Sequence, residues 1–305
     1  MSEFLQFRFV PTMRCNFKCS YCFLPHSTGG EPTMFDDVTP SEWVRAMGSF
    51  SDYEVEFYMW GGEPFCLDGT FEVVKGFAEY DFVKWARIDS NISAAKKIAN
   101  RCPSEKVKIN CSWHTEYFKF DDFRRNVFLL KERGMVGMVN FVASDANLAR
   151  LEEERMTLDG LIRLFQEEEI FVNVSADFGK GNDPEYKEFI CRYTTEADWD
   201  HIHHLRPPKG VACNAGRTFF TVGYDGALTS CGVNRRRLLN RTIEPAHLGN
   251  FLEGKVTPKT ARCPQESCPS IVSYAHREDN EFAYKKHLDD YVDRNRRHRL
   301  KVGTG

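Results

Sequence analysis

The chain has 305 residues, 42% hydrophobic and 28% charged, which is enough apolar content for a core of ordinary size and far from a disordered composition. Forty-one Lys and Arg against 44 Asp and Glu leave a net charge of −3, so no global field attracts a phosphate backbone and nucleic acid is not an expected partner. No run approaches the roughly 18 consecutive apolar residues of a membrane span, and the N-terminus lacks the basic-then-apolar pattern of an export signal; a cytoplasmic protein with no membrane contact is expected.

From Gln6 to about Phe178 short β-type runs alternate with longer helical ones, the pattern of βα units around a parallel sheet. Strands are predicted at residues 6–11, 55–60, 83–89, 107–113, 138–144 and 170–176. Helices are predicted at 40–50, with Thr39 as N-cap and Pro40 in first position, and at 71–80, 94–101, 120–133 and 157–168. The fold class is therefore α/β, a partial (β/α)6 barrel over residues 1–200, with right-handed crossovers bringing every strand's C-terminal end to one face. The acidic clusters at 152–154 and 167–169 read as solvated helix faces.

Past a helix at 186–193 the character changes. Residues 201–210 read as a His/Pro-rich connector, and strands at 218–222 and 227–230 flank the turn Tyr224-Asp225-Gly226. Residues 205–275 thus form a small C-terminal β-hairpin-containing unit whose core is too thin to stand alone, a setting in which a metal staple makes physical sense. Residues 276–305 carry a terminal basic helix at 281–301, read as packed with one solvated face.

Eleven cysteines in a chain without an export signal should be reduced thiols, better read as metal ligands or catalytic groups than as disulfides. Cys15, Cys19 and Cys22 form a Cys-x3-Cys-x2-Cys cluster directly after the first strand. Three thiolates on one loop suit a [4Fe–4S] cluster that keeps one iron without a protein ligand; structural zinc would want a fourth ligand, for which His26 is the local candidate. Trp60-Gly61-Gly62-Glu63-Pro64 ends the second strand. Its glycines let backbone approach a ligand closely and Glu63 can accept from an ammonium, although a tight strand-to-helix turn would use the same residues.

Together these motifs resemble those of the radical S-adenosylmethionine (radical SAM) superfamily, and the resemblance runs from about Phe7 to Asp177. It implies that S-adenosylmethionine (SAM) chelates the open iron, that one electron from the reduced cluster cleaves it, and that the 5′-deoxyadenosyl radical removes a hydrogen from substrate. By position, it implies Cys15, Cys19 and Cys22 as cluster ligands, Gly61, Gly62 and Glu63 around the methionyl ammonium, and Tyr21 near the adenine. Asn91 and Ser112 match places where family members contact ribose or carboxylate, or else are strand-end caps. Cys213, Cys231, Cys263 and Cys268 look like a twitch domain, the short form of the SPASM extension, holding a second, auxiliary [4Fe–4S] cluster; structural zinc is the alternative, and the gap between Cys263 and Cys268 leaves open whether all four ligate.

Cys66, Cys102, Cys111 and Cys191 remain, and free cysteine usually behaves as a small buried hydrophobe. Cys111 differs by position, at the end of the fourth strand just before His114 and Glu116, which would either deprotonate a substrate hydroxyl or form a strand-end hydrogen-bond network. Asp177 is a weaker candidate base after the sixth strand. The expected activity is radical SAM dehydrogenation of a polar small molecule of sugar, aminoglycoside or nucleoside type, with the auxiliary cluster accepting the electron and a flavodoxin- or ferredoxin-type reductant supplying the first one. The alternatives are an epimerase with Cys111 as hydrogen donor, a peptide maturase, against which a motif beginning at Cys15 leaves no room for a leading recognition domain, and a non-catalytic iron–sulfur electron carrier, which would have no use for the Gly-Gly-Glu-Pro turn. The barrel loops carry no legible code for the substrate.

Overall fold

The computed structural model describes residues 4–22, 24, 31–103, 105–181, 183–203, 205, 207, 209–230, 247–259 and 262–263. Cys231, Cys268, His26 and the expected terminal helix lie outside them. The first part of the chain runs β1 (Phe4–Phe9), α1 (Pro40–Met47), β2 (Glu54–Met59), α2 (Asp68–Glu79), β3 (Val83–Ser90), α3 (Ala95–Arg101), β4 (Val107–Ser112), α4 (Phe120–Glu132), β5 (Val136–Val142), α5 (Asp145–Glu153), α6 (Leu158–Glu167) and β6 (Val172–Ser175). It continues through α7 (Pro184–Ile190), α8 (Glu196–Ile202), β7 (Phe219–Val222), β8 (Ala227–Thr229), β9 (His247–Asn250) and β10 (Lys255–Val256).

Local chemistry sets the helix starts. Thr39 and Glu42 cap α1 reciprocally, with Pro40 at the first position, and Thr157 accepts from the Gly160 N–H at the start of α6. The acidic cluster at 152–154, read as a helix face, falls at the end of α5, whose start sequence reading did not mark although Ser144 carries an N-cap signal and accepts from the Asn147 N–H. Sequence reading missed α8, which takes the start of the expected connector.

All strands belong to one open sheet of order β10-β9-β8-β7-β1-β2-β3-β4-β5-β6. β1 to β6 are parallel, as expected of a partial barrel, and β6 is one edge. The described part of the hairpin unit adds to this sheet: β7 pairs parallel with β1, Arg8 opposite Thr221, and Phe220, Val222, Leu228, Leu248 and Phe251 join the main hydrophobic core. Phe251 lies against Phe7, Phe9 and Phe50 at ring separations of 5.0–5.1 Å, closing the core beneath β1.

Alternation along the strands separates two chemistries. On one face Phe9, Met59, Ile88 and Ile109 stand side by side in register and belong to the core shared with the helices. The opposite face carries the row Arg8, Tyr58, Arg87, Lys108, then the pair Asp89 and Asn110, then the row Ser112, Asn140, Asn173. Arg87, Asp89, Lys108, Ser112, Asn140 and Asn173 are partly exposed and Arg8, Tyr58 and Asn110 are buried, so this polar face, the lumen side of a partial barrel, is in part open to solvent. Among the described residues no helix is long and apolar enough to cross a membrane.

Candidate active site

The chain leaving β1 meets the turn leaving β2. The Gly62 N–H donates to the Thr12 carbonyl and the Glu63 N–H to the Arg14 carbonyl, both at 2.9 Å. Only glycine permits this approach: a Cβ on Gly62 would lie 2.1 Å from the Arg14 carbonyl oxygen, and one on Gly61, whose φ is +147°, 2.3 Å from that of Thr12. The two glycines therefore bring chain to chain, and two of the turn's N–H groups are used within the protein.

Glu63 is equally committed. It is 3% exposed; Oε1 accepts from the Phe65 N–H at 3.1 Å and the Ser90 hydroxyl at 2.9 Å, and Oε2 from the Asn91 N–H at 2.6 Å. Burial pushes its carboxyl up to about 7 against the pull of these donors. Its described partners are protein donors, and through them the carboxylate ties the turn to the end of β3.

Asn91 extends the tie to the cysteine loop. Its Nδ2 donates to Asn16 Oδ1 at 2.8 Å and lies 3.9 Å from Cys15 Sγ, while Asn16 Nδ2 donates to the Ser93 hydroxyl at 3.0 Å. Between them Ile92, buried and β-branched, has a φ of +53°, a strain of about 1–3 kcal/mol that turns both neighbours toward the loop. Asn16 was missed in the sequence, although a short amide inside a cysteine cluster is a signal. Cys66, read as a core residue, is exposed, and its thiol reaches Asn16 Oδ1 at 3.5 Å.

Within the loop Cys15 and Cys22 are exposed and Cys19 is buried. Desolvation raises all three thiols, Cys15 to about 11 and Cys19 to about 12, and the charges of neighbouring cysteines and acids raise Cys15 and Cys19 further. Three thiols gathered on one loop are a donor set that a cationic group would help to ionise, and the Phe17 N–H already points at Cys15 Sγ at 3.3 Å. Among the described residues no three His, Cys, Asp or Glu side chains converge tightly enough for a single ion. A four-iron cube, which gives each thiolate its own iron, asks for no such single point, and the loop fits it.

On its far side the loop meets the segment after β4. Glu116 accepts from the Ser20 N–H at 2.9 Å and from the Ser20 hydroxyl at 2.8 Å. His114 Nδ1 lies 2.8 Å from the Tyr21 hydroxyl and 3.2 Å from Cys19 Sγ, and burial holds its pKa down to about 4. The Tyr21 ring is parallel to the imidazole.

The remaining expectations divide by strand parity. Cys111 is fully buried in the core on the helix side of β4, its thiol directed at the Ile109 carbonyl, so it does not face the lumen as the epimerase reading required. Ser112, one residue on, does. Asp177 accepts from the Gly179 N–H at 2.8 Å as the cap of a short 3-10 turn. In the lumen Asp89 accepts from the Tyr58 hydroxyl and, at 2.7 Å, from Asn110 Nδ2; Arg87 lies over the Tyr58 ring, and desolvation raises the Asp89 carboxyl above its ordinary value.

Of the second cysteine group, Cys213 and Cys263 are described and both are half-buried. Gly210 and Val211 pair with Cys263 through backbone bonds of 2.8 and 3.0 Å, which sets Cys213 two residues from that pairing. Gly216 packs on Ser230, the residue before Cys231.

No protein-family model matches this chain, and no curated protein matches it. Among solved structures, SuiB from Streptococcus suis bound to SAM is similar with a TM-score of 0.51 and 16% identity, covering 83% of this chain and 64% of SuiB, so this chain spans less than two thirds of that protein. The native enzyme anSMEcpe, with bound SAM and Kp18Cys peptide, is similar with a TM-score of 0.51 and 17% identity over 82% of this chain and 78% of its own. Both structures hold bound SAM, and the chain shares their fold.

Proposed function

We propose that this chain is a radical SAM enzyme that dehydrogenates a polar substrate held in the barrel lumen. The observation that carries the reading is convergence. The Cys15–Cys22 loop, the Gly61–Glu63 turn and Asn91 are tied together at the C-terminal ends of β1, β2 and β3, above a face of alternating polar residues. Cys15, Cys19 and Cys22 would hold a [4Fe–4S] cluster, and with SAM bound this group supplies a 5′-deoxyadenosyl radical that removes a hydrogen atom from substrate.

The chain's own residues then bind and orient. Ser112, Asn140 and Asn173 offer hydroxyl and amide groups to a polar substrate, Asn173 Nδ2 already donating to Asn140 Oδ1 at 3.1 Å. We take Asp89, on the polar face of the sheet and oriented by Tyr58 and Asn110, as the carboxyl that would accept the substrate's proton, with His114 and Glu116, at the cysteine loop, as the alternative bases. The substrate's electron would pass to an auxiliary cluster on Cys213, Cys231, Cys263 and Cys268, residues 205–275 forming its unit, with a flavodoxin- or ferredoxin-type reductant serving the first cluster. The burial of Cys111 on the core side of its strand supports dehydrogenation over an epimerase that would use this thiol as hydrogen donor. A peptide substrate is the second reading, favoured by the peptide in the anSMEcpe complex.

Anaerobically reconstituted protein with reductant and SAM is expected to release 5′-deoxyadenosine and methionine, and Cys15→Ala/Cys19→Ala/Cys22→Ala to release neither. With a turned-over substrate the product is two hydrogens lighter, and Cys111→Ala keeps turnover. Absence of 5′-deoxyadenosine from protein loaded with iron overturns the enzyme reading; a product of unchanged mass overturns dehydrogenation.

A further inference from the structure

We infer that the segment from His114 to Phe118, after β4, is a dock that holds the Cys15–Cys22 loop in its ligating shape, with Glu116, His114 and Tyr117 as positioning residues. The inference rests on the radical SAM reading for what the loop binds, and on contacts alone for how it is held.

Seven residue pairs join two segments that lie roughly a hundred residues apart in the chain. The Glu116 carboxylate takes both the N–H and the hydroxyl of Ser20, the residue directly after Cys19. The Tyr117 hydroxyl accepts from the Lys18 N–H at 2.7 Å, directly before Cys19. Phe17 stacks on Tyr117 with ring centroids 4.3 Å apart and planes 5° from parallel, and meets His114 and Phe118 edge-on. His114 Nδ1 is shared by Tyr21 and Cys19 Sγ. Cys19 is thus flanked by a fixed N–H on each side, and every residue from Phe17 to Tyr21 has a partner on the dock.

The arrangement answers a physical need. An eight-residue loop between strand and turn has no secondary structure of its own, so its conformation has to be fixed by contacts with the rest of the chain. The dock orders the middle of the loop around Cys19, while Asn91 and Ser93 order its start through Asn16. Ligands held by such supporting bonds need less ordering when the group binds. The dock is itself anchored: the Trp113 indole N–H donates to the Phe118 carbonyl at 3.1 Å and Thr115 to Asn147 at 2.6 Å.

The test uses the full chain in two states. In cluster-free protein, amide hydrogen exchange at Ser20 in Glu116→Ala is expected to speed by about five- to tenfold, the loss of one bond to a charged acceptor at an exposed site. Tyr117→Phe, which keeps the stack on Phe17, is expected to speed exchange at Lys18 alone. In reconstituted protein, Glu116→Ala is expected to surrender iron to a chelator several-fold faster than wild type, with an unchanged thermal midpoint, and Glu116→Gln, which keeps an acceptor oxygen, to return most of the protection. Unchanged exchange at Ser20 and Lys18 overturns the dock, as does faster exchange spread over the whole chain with a lowered midpoint. If wild-type protein takes up no iron, the radical SAM reading fails while the exchange experiment still decides the dock.

Discussion

The two faces of β1 to β6 are built from the same strands and share no chemistry. The helix side is a packed aromatic layer in which Phe9 touches Trp43, Phe57, Phe77 and Phe251. The lumen side is a lattice of amides, hydroxyls and charges, in part open to solvent. The difference teaches that function in this chain is decided by a parity of one residue: Cys111 and Ser112 are neighbours, yet one is core and the other lines the site.

Substitution should separate the faces. Phe9→Ala removes a fully buried ring and is expected to cost about 3–5 kcal/mol in denaturant unfolding. Asn140→Ala is expected to cost about 1 kcal/mol at most while impairing turnover, because Asn140 is half-exposed and its partner Asn173 keeps water and the Ser175 hydroxyl, 3.2 Å away. Comparable destabilisation by the two would erase the distinction.

A smaller effect concerns the charge on the lumen face. The folded Asp89 carboxyl lies above its ordinary value because burial disfavours the ionised form. Its contribution to stability is therefore fully present below the ordinary Asp pKa, near 3.8, and is lost as pH rises through the raised folded value. Unfolding measured across a pH series should show wild type losing stability relative to Asp89→Asn over that interval; parallel curves would place Asp89 in water.

Much of this architecture is legible in the sequence because it rests on short-range signals. The six strands appear within about two residues of their observed limits, since apolar runs bounded by turn residues mark them. The cysteine loop and the Gly-Gly-Glu-Pro turn are legible as motifs, but their purpose in the fold is not. That Gly62 closes on Arg14, or that Glu63 serves Asn91, depends on which strands are neighbours. For His114 and Glu116 the sequence leaves a base and a strand-end hydrogen-bond network equally open, because their contacts with the cysteine loop lie about 95 residues upstream. The pairing of β7 with β1 is invisible in the sequence for the same reason. The parity of Cys111 was available: Ile109, Cys111 and Trp113 alternate with Lys108, Asn110 and Ser112, and only the first set is apolar.

The central claim is that the loop of Cys15, Cys19 and Cys22 holds a cluster with an iron open to SAM at the mouth of the lumen. Electron paramagnetic resonance of the reduced, reconstituted protein tests it most directly. The account predicts a [4Fe–4S]+ signal that changes shape when SAM is added, with that SAM-responsive signal absent from Cys15→Ala/Cys19→Ala/Cys22→Ala. A signal indifferent to SAM, or a SAM-responsive one that survives in the triple variant, would contradict it.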